Sequence, residues 1–179
     1  MAARLCRHRV LQEIIQARAG QRTAIAHTAH YQAEEILLRL CRRAGPSGLS
    51  GMRPREVSGI VRPLLYATKS QILAYLSDRR LPYRLDSTNE APICQRNRLR
   101  LEVLPLLEDI LHPGVISCMA RHAQLVQDED EFWSRTLEEL WPTVCAVDNG
   151  DEIRLRHSEL RQLHPALLRR LFRHSLLKL

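Results

Sequence analysis

Two histidines and a glutamate, His27, His30 and Glu34, stand three and four residues apart in IAHTAHYQAEEILLRL, residues 25–40. Residues of these types raise metal chemistry first, because a catalytic cation needs about three converging protein ligands and an open position. The spacing only half suits it. An apolar run ends at His27 and helical periodicity begins near His30, so one ligand sits at a strand end and two sit on a helix. The His-Glu-x-x-His pair that would supply a base is absent. The same residues equally suit the wall of a nucleotide pocket at a strand-to-helix turn, or a helix start that happens to carry histidines.

Two further stretches carry chemistry-bearing types. In AGPSGLSGM (44–52), Gly45, Gly48 and Gly51 recur at intervals of three. Such loops let backbone N–H groups approach phosphate, but this one follows a helix and has no adjacent lysine, so it reads as a flexible connection. In LDSTNEAPICQRNRLR (85–100), Asp86, Ser87 and Asn89 are turn formers and helix caps. Arg96, Arg98 and Arg100 then form either a solvated helix face or a phosphate clamp, since guanidinium forks match phosphate oxygens.

The elements that must position these residues alternate. Leu5, Val10, Leu11, Ile14 and Ile15 mark one face of a helix over 2–19, stopped at Gly20. TAIAH (23–27) suits a short buried strand, and 30–43 returns to helical spacing with Ile36, Leu37, Leu40 and Cys41 inward. VSGIVRPLL (57–65) supplies a second strand, and Thr68 with Gln71 forms a capping box ahead of ILAYLSDRRL. This rhythm predicts an α/β fold with a parallel sheet.

Beyond residue 112 the pattern turns mainly helical. Pro105 and the HPG at 112–114 bracket a short helix, and 115–141 carries a long apolar stripe. Residues 144–155 read as a hairpin around Asn149-Gly150. Ser158 is placed to cap a short helix, and Pro165 opens the last one. The expected division is an α/β domain over 1–112 and a smaller helical domain over 113–179.

Composition narrows the function classes. The 179 residues are 45% hydrophobic and 26% charged, and no apolar run reaches the roughly 18–20 residues of a membrane span. The amphipathic start lacks the apolar centre of a secretory signal. Cys6, Cys41, Cys94, Cys118 and Cys145 are scattered, odd in number and without a Cys-x-x-Cys pair, which fits reduced thiols in a cytoplasm. Residues 1–106 hold 18 Arg or Lys against 8 Asp or Glu, whereas 107–179 hold 9 against 12. A basic front half suits a polyanion such as nucleic acid, although arginine is abundant throughout. With 2 Trp, 2 Phe and 4 Tyr, no base-stacking platform is evident.

Six stretches together resemble one family. AARLCRHRVL, the run from IAHTAHYQAEEI to GLSGM, RPLL, DSTN, RNRLRLEVLP and LHPALLRRLFRHSL occur in the order and spacing of the tRNA(Ile)-lysidine synthetases. These are ATP pyrophosphatases of the PP-loop type, built on an adenine-nucleotide α-hydrolase fold. The resemblance implies a ligase: ATP adenylates the C2 carbonyl of the wobble cytidine in a CAU-anticodon tRNA(Ile), and the ε-amine of L-lysine displaces AMP. It implies ATP and Mg²⁺ as cofactors, a cytoplasmic location, no membrane, and a homodimer as one assembly to expect. It also implies catalytic roles for Glu34 and Arg39. ATP, substrate or tRNA contacts would fall to His27, Arg62, Asp86, Asn89, Arg96, Asn97 and Arg100, and the helical back half would help to hold tRNA.

The sequence departs from the family at defined places. Thr28 stands for a second histidine, His30 and Tyr31 stand for two aspartates, and Arg43 stands for a glycine. These departures make a metal ligand of His30 an unfavoured reading. The 179 residues contain no Ser-Gly-Gly-x-Asp-Ser ATP loop. The expectation is therefore a truncated copy, either a ligase by descent or a catalytically inactive remnant that at most binds tRNA.

Overall fold

The computed structural model describes residues 2–17, 22–84 and 94–179. Among them the chain is α/β and falls into two compact units, Met1–Gln127 and Asp128–Leu179. That division lies later than the expected one at 112. The reason is packing: Ile116, Ala120 and Ala123, beyond the HPG turn, are buried, and the first two join the core of the first unit.

In the first unit, helix α1 (Ala2–Ala17) precedes strand β1 (Thr23–Ala24), which pairs in parallel with β2 (Ile60–Val61) in the register Thr23↔Ile60 and Ala24↔Val61. Both strands are shorter than their apolar runs. Ile25 N–H still donates to the Val61 carbonyl at 2.9 Å, so the ladder outlasts the regular strand by one bond. The α1 stripe is only partly inward, since Val10 and Ile14 are exposed.

Helix α2 (Ala29–Cys41) starts directly beyond β1. Its N-cap Thr28 makes no side-chain cap. Instead the Ala29 N–H donates to the Ala67 carbonyl at 2.9 Å, which satisfies one of the four donors a helix start leaves open. Ala29 and Ala33 are fully buried against Leu104, Ile116 and Ala120, and small residues allow that close approach. The buried face then continues through Gln32, Glu34, Ile36 and Leu38. Leu40 and Cys41, expected inward, are exposed because they belong to the helix's final, outward turn.

A 3₁₀ turn over Pro46–Ser50 follows, then β2 and α3 (Lys69–Asp78), which carries the expected capping box: Gln71 N–H donates to Thr68 Oγ1 and Thr68 N–H to Gln71 Oε1. Helical structure next runs unbroken from α4 (Gln95–Arg98) through a π-type stretch, Leu99–Val103, into α5 (Leu104–Ile110). The short helix expected to begin at Pro105 thus starts ten residues earlier. A proline removes a donor inside a helix, and the wider π register directly before Pro105 accommodates that loss.

Helix α6 (Val115–Val144) belongs to the first unit up to Gln127 and to the second thereafter. The second unit adds an antiparallel hairpin, β3 (Cys145–Asp148) with β4 (Ile153–Leu155), then α7 (His157–Leu160) and α8 (Pro165–Lys178). Leu137, Val144 and Leu171 form its core. The residue at the N-cap of α7 is Arg156, not Ser158, whose hydroxyl contacts Glu159 instead. In the acidic run DEDE at 128–131, Asp130 and Glu131 pair with Arg170 and Arg135.

Candidate functional site

The site assembles where α2 meets the helical stretch that opens at Gln95. Arg96 and Arg100 lie four apart, one above the other on the same helix face, and that face is turned toward α2. Arg100 Nε donates to Glu34 Oε1 at 2.7 Å, and Arg96 pairs with Glu35. Arg98 falls on the opposite side and pairs with Glu102 along its own helix at 3.1 Å. The arginine triplet therefore divides: two members bind α2, and one is a solvated helix residue.

Glu34 is fully buried and its Oε2 has no hydrogen-bond partner. Burial pushes its carboxyl above the ordinary value, and the Arg100 hydrogen bond and charge pull it back only in part. Arg100 moves upward as well: burial opposes its charge, but the bond and charge of Glu34 outweigh that. For Glu35 burial is the largest influence and acts upward. The Arg39 hydrogen bond and the Arg96 and Arg39 charges overcome it together, holding this carboxyl below its ordinary value.

Arg39 reaches Glu35 Oε1 with Nε at 2.7 Å and the Gly48 carbonyl with Nη1 at 2.8 Å. It thereby ties the glycine loop back onto α2. Two glutamines complete the attachment. Gln32 donates to the Met52 carbonyl at 3.0 Å and accepts from the Met52 N–H at 2.8 Å, while Gln127 of α6 donates to the Ser50 and Met52 carbonyls. Gly51 at φ 64° sits so close that an added Cβ would lie 2.7 Å from the Gln32 amide nitrogen. The loop expected to be a flexible connection is held at four points. Of its glycines, Gly51 serves close packing against Gln32 and Gly48 against Ala44, while Gly45 has open space beside it.

His27 accepts at Nδ1 from Arg62 Nε at 3.0 Å, which places a neutral ring's proton on Nε2. Arg62 is buried; its other nitrogens meet Glu56 Oε1 at 2.5 Å and the Arg53 carbonyl at 2.8 Å. The His27 ring packs 5.0 Å from that of Tyr31, and the Arg100 guanidinium lies 4.5 Å from the Tyr31 ring centre. Thus Arg62, His27, Tyr31, Arg100 and Glu34 form one connected series. Where the resemblance expects aspartates, Tyr31 offers Arg100 a ring face instead of a carboxylate. His30 turns a partnerless Nδ1 into a buried setting that, with the Arg100 and Lys69 charges, lowers its proton affinity.

The structure therefore unites His27, Glu34, Arg39, Arg62, Arg96 and Arg100, and sets Asn97 on the same helix as the last two. Asp86 and Asn89 lie outside the described residues. Sequence reasoning missed Glu35, the bridge between Arg39 and Arg96, although its i,i+4 spacing from Arg39 was a usable signal. It also missed Gln127, which no local pattern marks. The metal reading of His27, His30 and Glu34 has no geometry behind it: among the described residues no three His, Cys, Asp or Glu are placed to hold an ion.

This joint between α2 and the Arg-Asn-x-x-Arg turn lies wholly within residues 1–107, the segment matched by the model of the PP-loop domain. The chain belongs to the PP-loop family. Its α/β fold is accordingly of the adenine-nucleotide α-hydrolase type. The chain is 34% identical over 173 residues to a tRNA(Ile)-lysidine synthase of Caldanaerobacter subterraneus subsp. tengcongensis, covering 96% of this chain and 36% of that protein. It is 38% identical over 177 residues to one of Geobacter sulfurreducens, covering 98% and 37%. A third, from Leifsonia xyli subsp. xyli, is 38% identical over 173 residues, covering 96% and 52%. The PP-loop chain thus spans between about a third and a half of the length of these curated relatives. No single helix among its described residues is long and apolar enough to cross a membrane.

Proposed function

We propose that the protein acts as a tRNA(Ile)-lysidine synthase, the name its relatives carry. The observation that supports this most is the paired joint Glu34–Arg100 and Glu35–Arg96, which fixes the Arg-Asn-x-x-Arg turn against α2. In this reading the C2 carbonyl oxygen of the wobble cytidine attacks the α-phosphorus of ATP and pyrophosphate leaves. The ε-amine of L-lysine then adds at C2, loses a proton, and AMP departs with the oxygen.

Glu34 is closed to solvent, and Arg39 is committed to Glu35 and the Gly48 carbonyl. Their roles are accordingly to position: Glu34 orients Arg100, and Arg39 fixes the loop at 46–52. Arg96 keeps about a third of its side chain open and is the better candidate to reach a phosphate. Magnesium, which the resemblance implies, meets no suitable ligand set among the described residues, and none of these roles depends on it. The protein would work in the cytoplasm on a CAU-anticodon tRNA(Ile), and light scattering would show whether it is a homodimer.

A second reading, an RNA-binding module without ligase activity, is favoured by His30 and Tyr31 in place of two acids. One experiment separates the two. Incorporation of labelled lysine into CAU-anticodon tRNA(Ile) with ATP should be measurable and should fall at least tenfold in Arg96→Ala. A folded protein that retains tRNA and incorporates no lysine would replace the first reading by the second.

A further inference from the structure

Strand β2 has company on both sides. β1 pairs with one edge, and Arg55 forms an antiparallel bridge to Val61 on the other. Over this ribbon lies a cleft of about 480 Å³ whose lining includes Arg22, Arg55, Val61, Arg62, Pro63 and Tyr66. Among the described residues no carboxylate lines it. Arg62 is its buried floor, already neutralised by Glu56. Arg22 and Arg55 differ: both are exposed, and neither guanidinium has a partner among the described residues. Arg39, Arg62, Arg96 and Arg100 each hold a glutamate, whereas Arg22 and Arg55 bring two uncompensated charges to one cleft whose described lining holds no carboxylate.

We propose that this cleft binds the phosphodiester backbone of RNA, with Arg22 and Arg55 as the phosphate-contacting residues; this rests on the tRNA-directed reading above and extends it to a surface outside the α2 joint. Arg22 leads into β1 and Arg55 lies beyond the far edge of β2, so their backbones stand two strand spacings apart across the ribbon, about 10 Å, and two residues apart along it. Two long arginine side chains rising from such positions can reach neighbouring phosphates of one strand. Val61, Pro63 and Tyr66 supply an apolar wall for sugar or base, while the prolines have no N–H to offer an anion. Recognition by two side-chain cations and a smooth wall carries no base code, so the contact positions RNA without reading its sequence.

The test is tRNA binding by the protein across a salt series. Arg22→Gln/Arg55→Gln should bind roughly tenfold more weakly at low salt, and the slope of log affinity against log salt should flatten by about two. Arg22→Lys/Arg55→Lys keeps the charge and should keep most of both. Independently, tRNA should protect Arg22 and Arg55 of the unaltered protein from phenylglyoxal, read by peptide mass. Unchanged affinity and slope in the Gln variant, or no protection, overturns the cleft while leaving the tRNA reading intact. Protection by ATP in the absence of RNA would make it a nucleotide site and overturn it too. If the unaltered protein binds no tRNA, both the inference and the reading beneath it fall.

Discussion

Replacing Arg100 by methionine isolates the energetics of the buried pair. Glu34 is fully shielded from solvent, its Oε2 already lacks a partner, and Arg100, bonded through Nε at 2.7 Å, does most to balance its charge, with a smaller attraction from Arg96. Removing one partner of a buried ion pair costs about 3–5 kcal/mol. Arg100 keeps 20% of its side chain exposed, and Glu34 can escape by taking up a proton, so the lower end, about 3 kcal/mol, applies here. Leucine at 34 together with methionine at 100 removes both charges. That double variant should return to within about 1 kcal/mol of the parent, because packed apolar groups replace a buried pair at little net loss.

Urea unfolding followed by circular dichroism measures both variants. Tryptophan fluorescence would not serve, since Trp133 and Trp141 both lie in the second unit. The pH dependence has a definite sign. A carboxyl whose folded value is raised contributes fully below its ordinary value of 4.5 and loses that contribution as pH climbs through the raised value. Without Arg100 the rise is larger, so Arg100→Met should lose more stability than the parent as pH climbs above 4.5. A loss under about 1 kcal/mol for the single variant, or a double variant as unstable as the two singles combined, would refute the argument.

Three other outcomes follow from local geometry. Arg43 has φ 59° just past the end of α2, where a side chain is strained, so Arg43→Gly should raise stability by about 0.5–1 kcal/mol in thermal unfolding; an unchanged or lower midpoint would contradict this. Gly51→Ala combines a positive φ with a contact of 2.7 Å to the Gln32 amide and should cost about 3 kcal/mol; a cost below about 1 kcal/mol would show that Gln32 moves aside freely. Gln127→Leu leaves the buried Ser50 carbonyl unsatisfied, at about 2 kcal/mol. It should also speed hydrogen exchange at the Met52 amide, whereas slow exchange there would assign the order at Met52 to Gln32.

Local order was legible where one residue sufficed to impose it. Thr68 and Gln71 cap α3 through bonds that span three residues, Pro165 opens α8, and Asn149-Gly150 turns the hairpin. The alternation of apolar runs and helical spacing likewise determined the α/β class, and six ordered motifs determined the family. Element ends were less legible, because burial sets them: Leu40 and Cys41 match the α2 stripe in type but lie past the last covered turn.

What only tertiary structure decided was how the charges are shared out. RNRLR reads as three equivalent arginines, yet helical rotation turns Arg96 and Arg100 to Glu35 and Glu34 and leaves Arg98 to Glu102. His27, His30 and Glu34 looked like a ligand set by spacing. The fold instead spends His27 on Arg62 and Glu34 on Arg100, partners 35 and 66 residues away in sequence. Sequence fixes which groups are available. Which two of them meet depends on long-range packing of alanine-faced helices, and no local spacing encodes it.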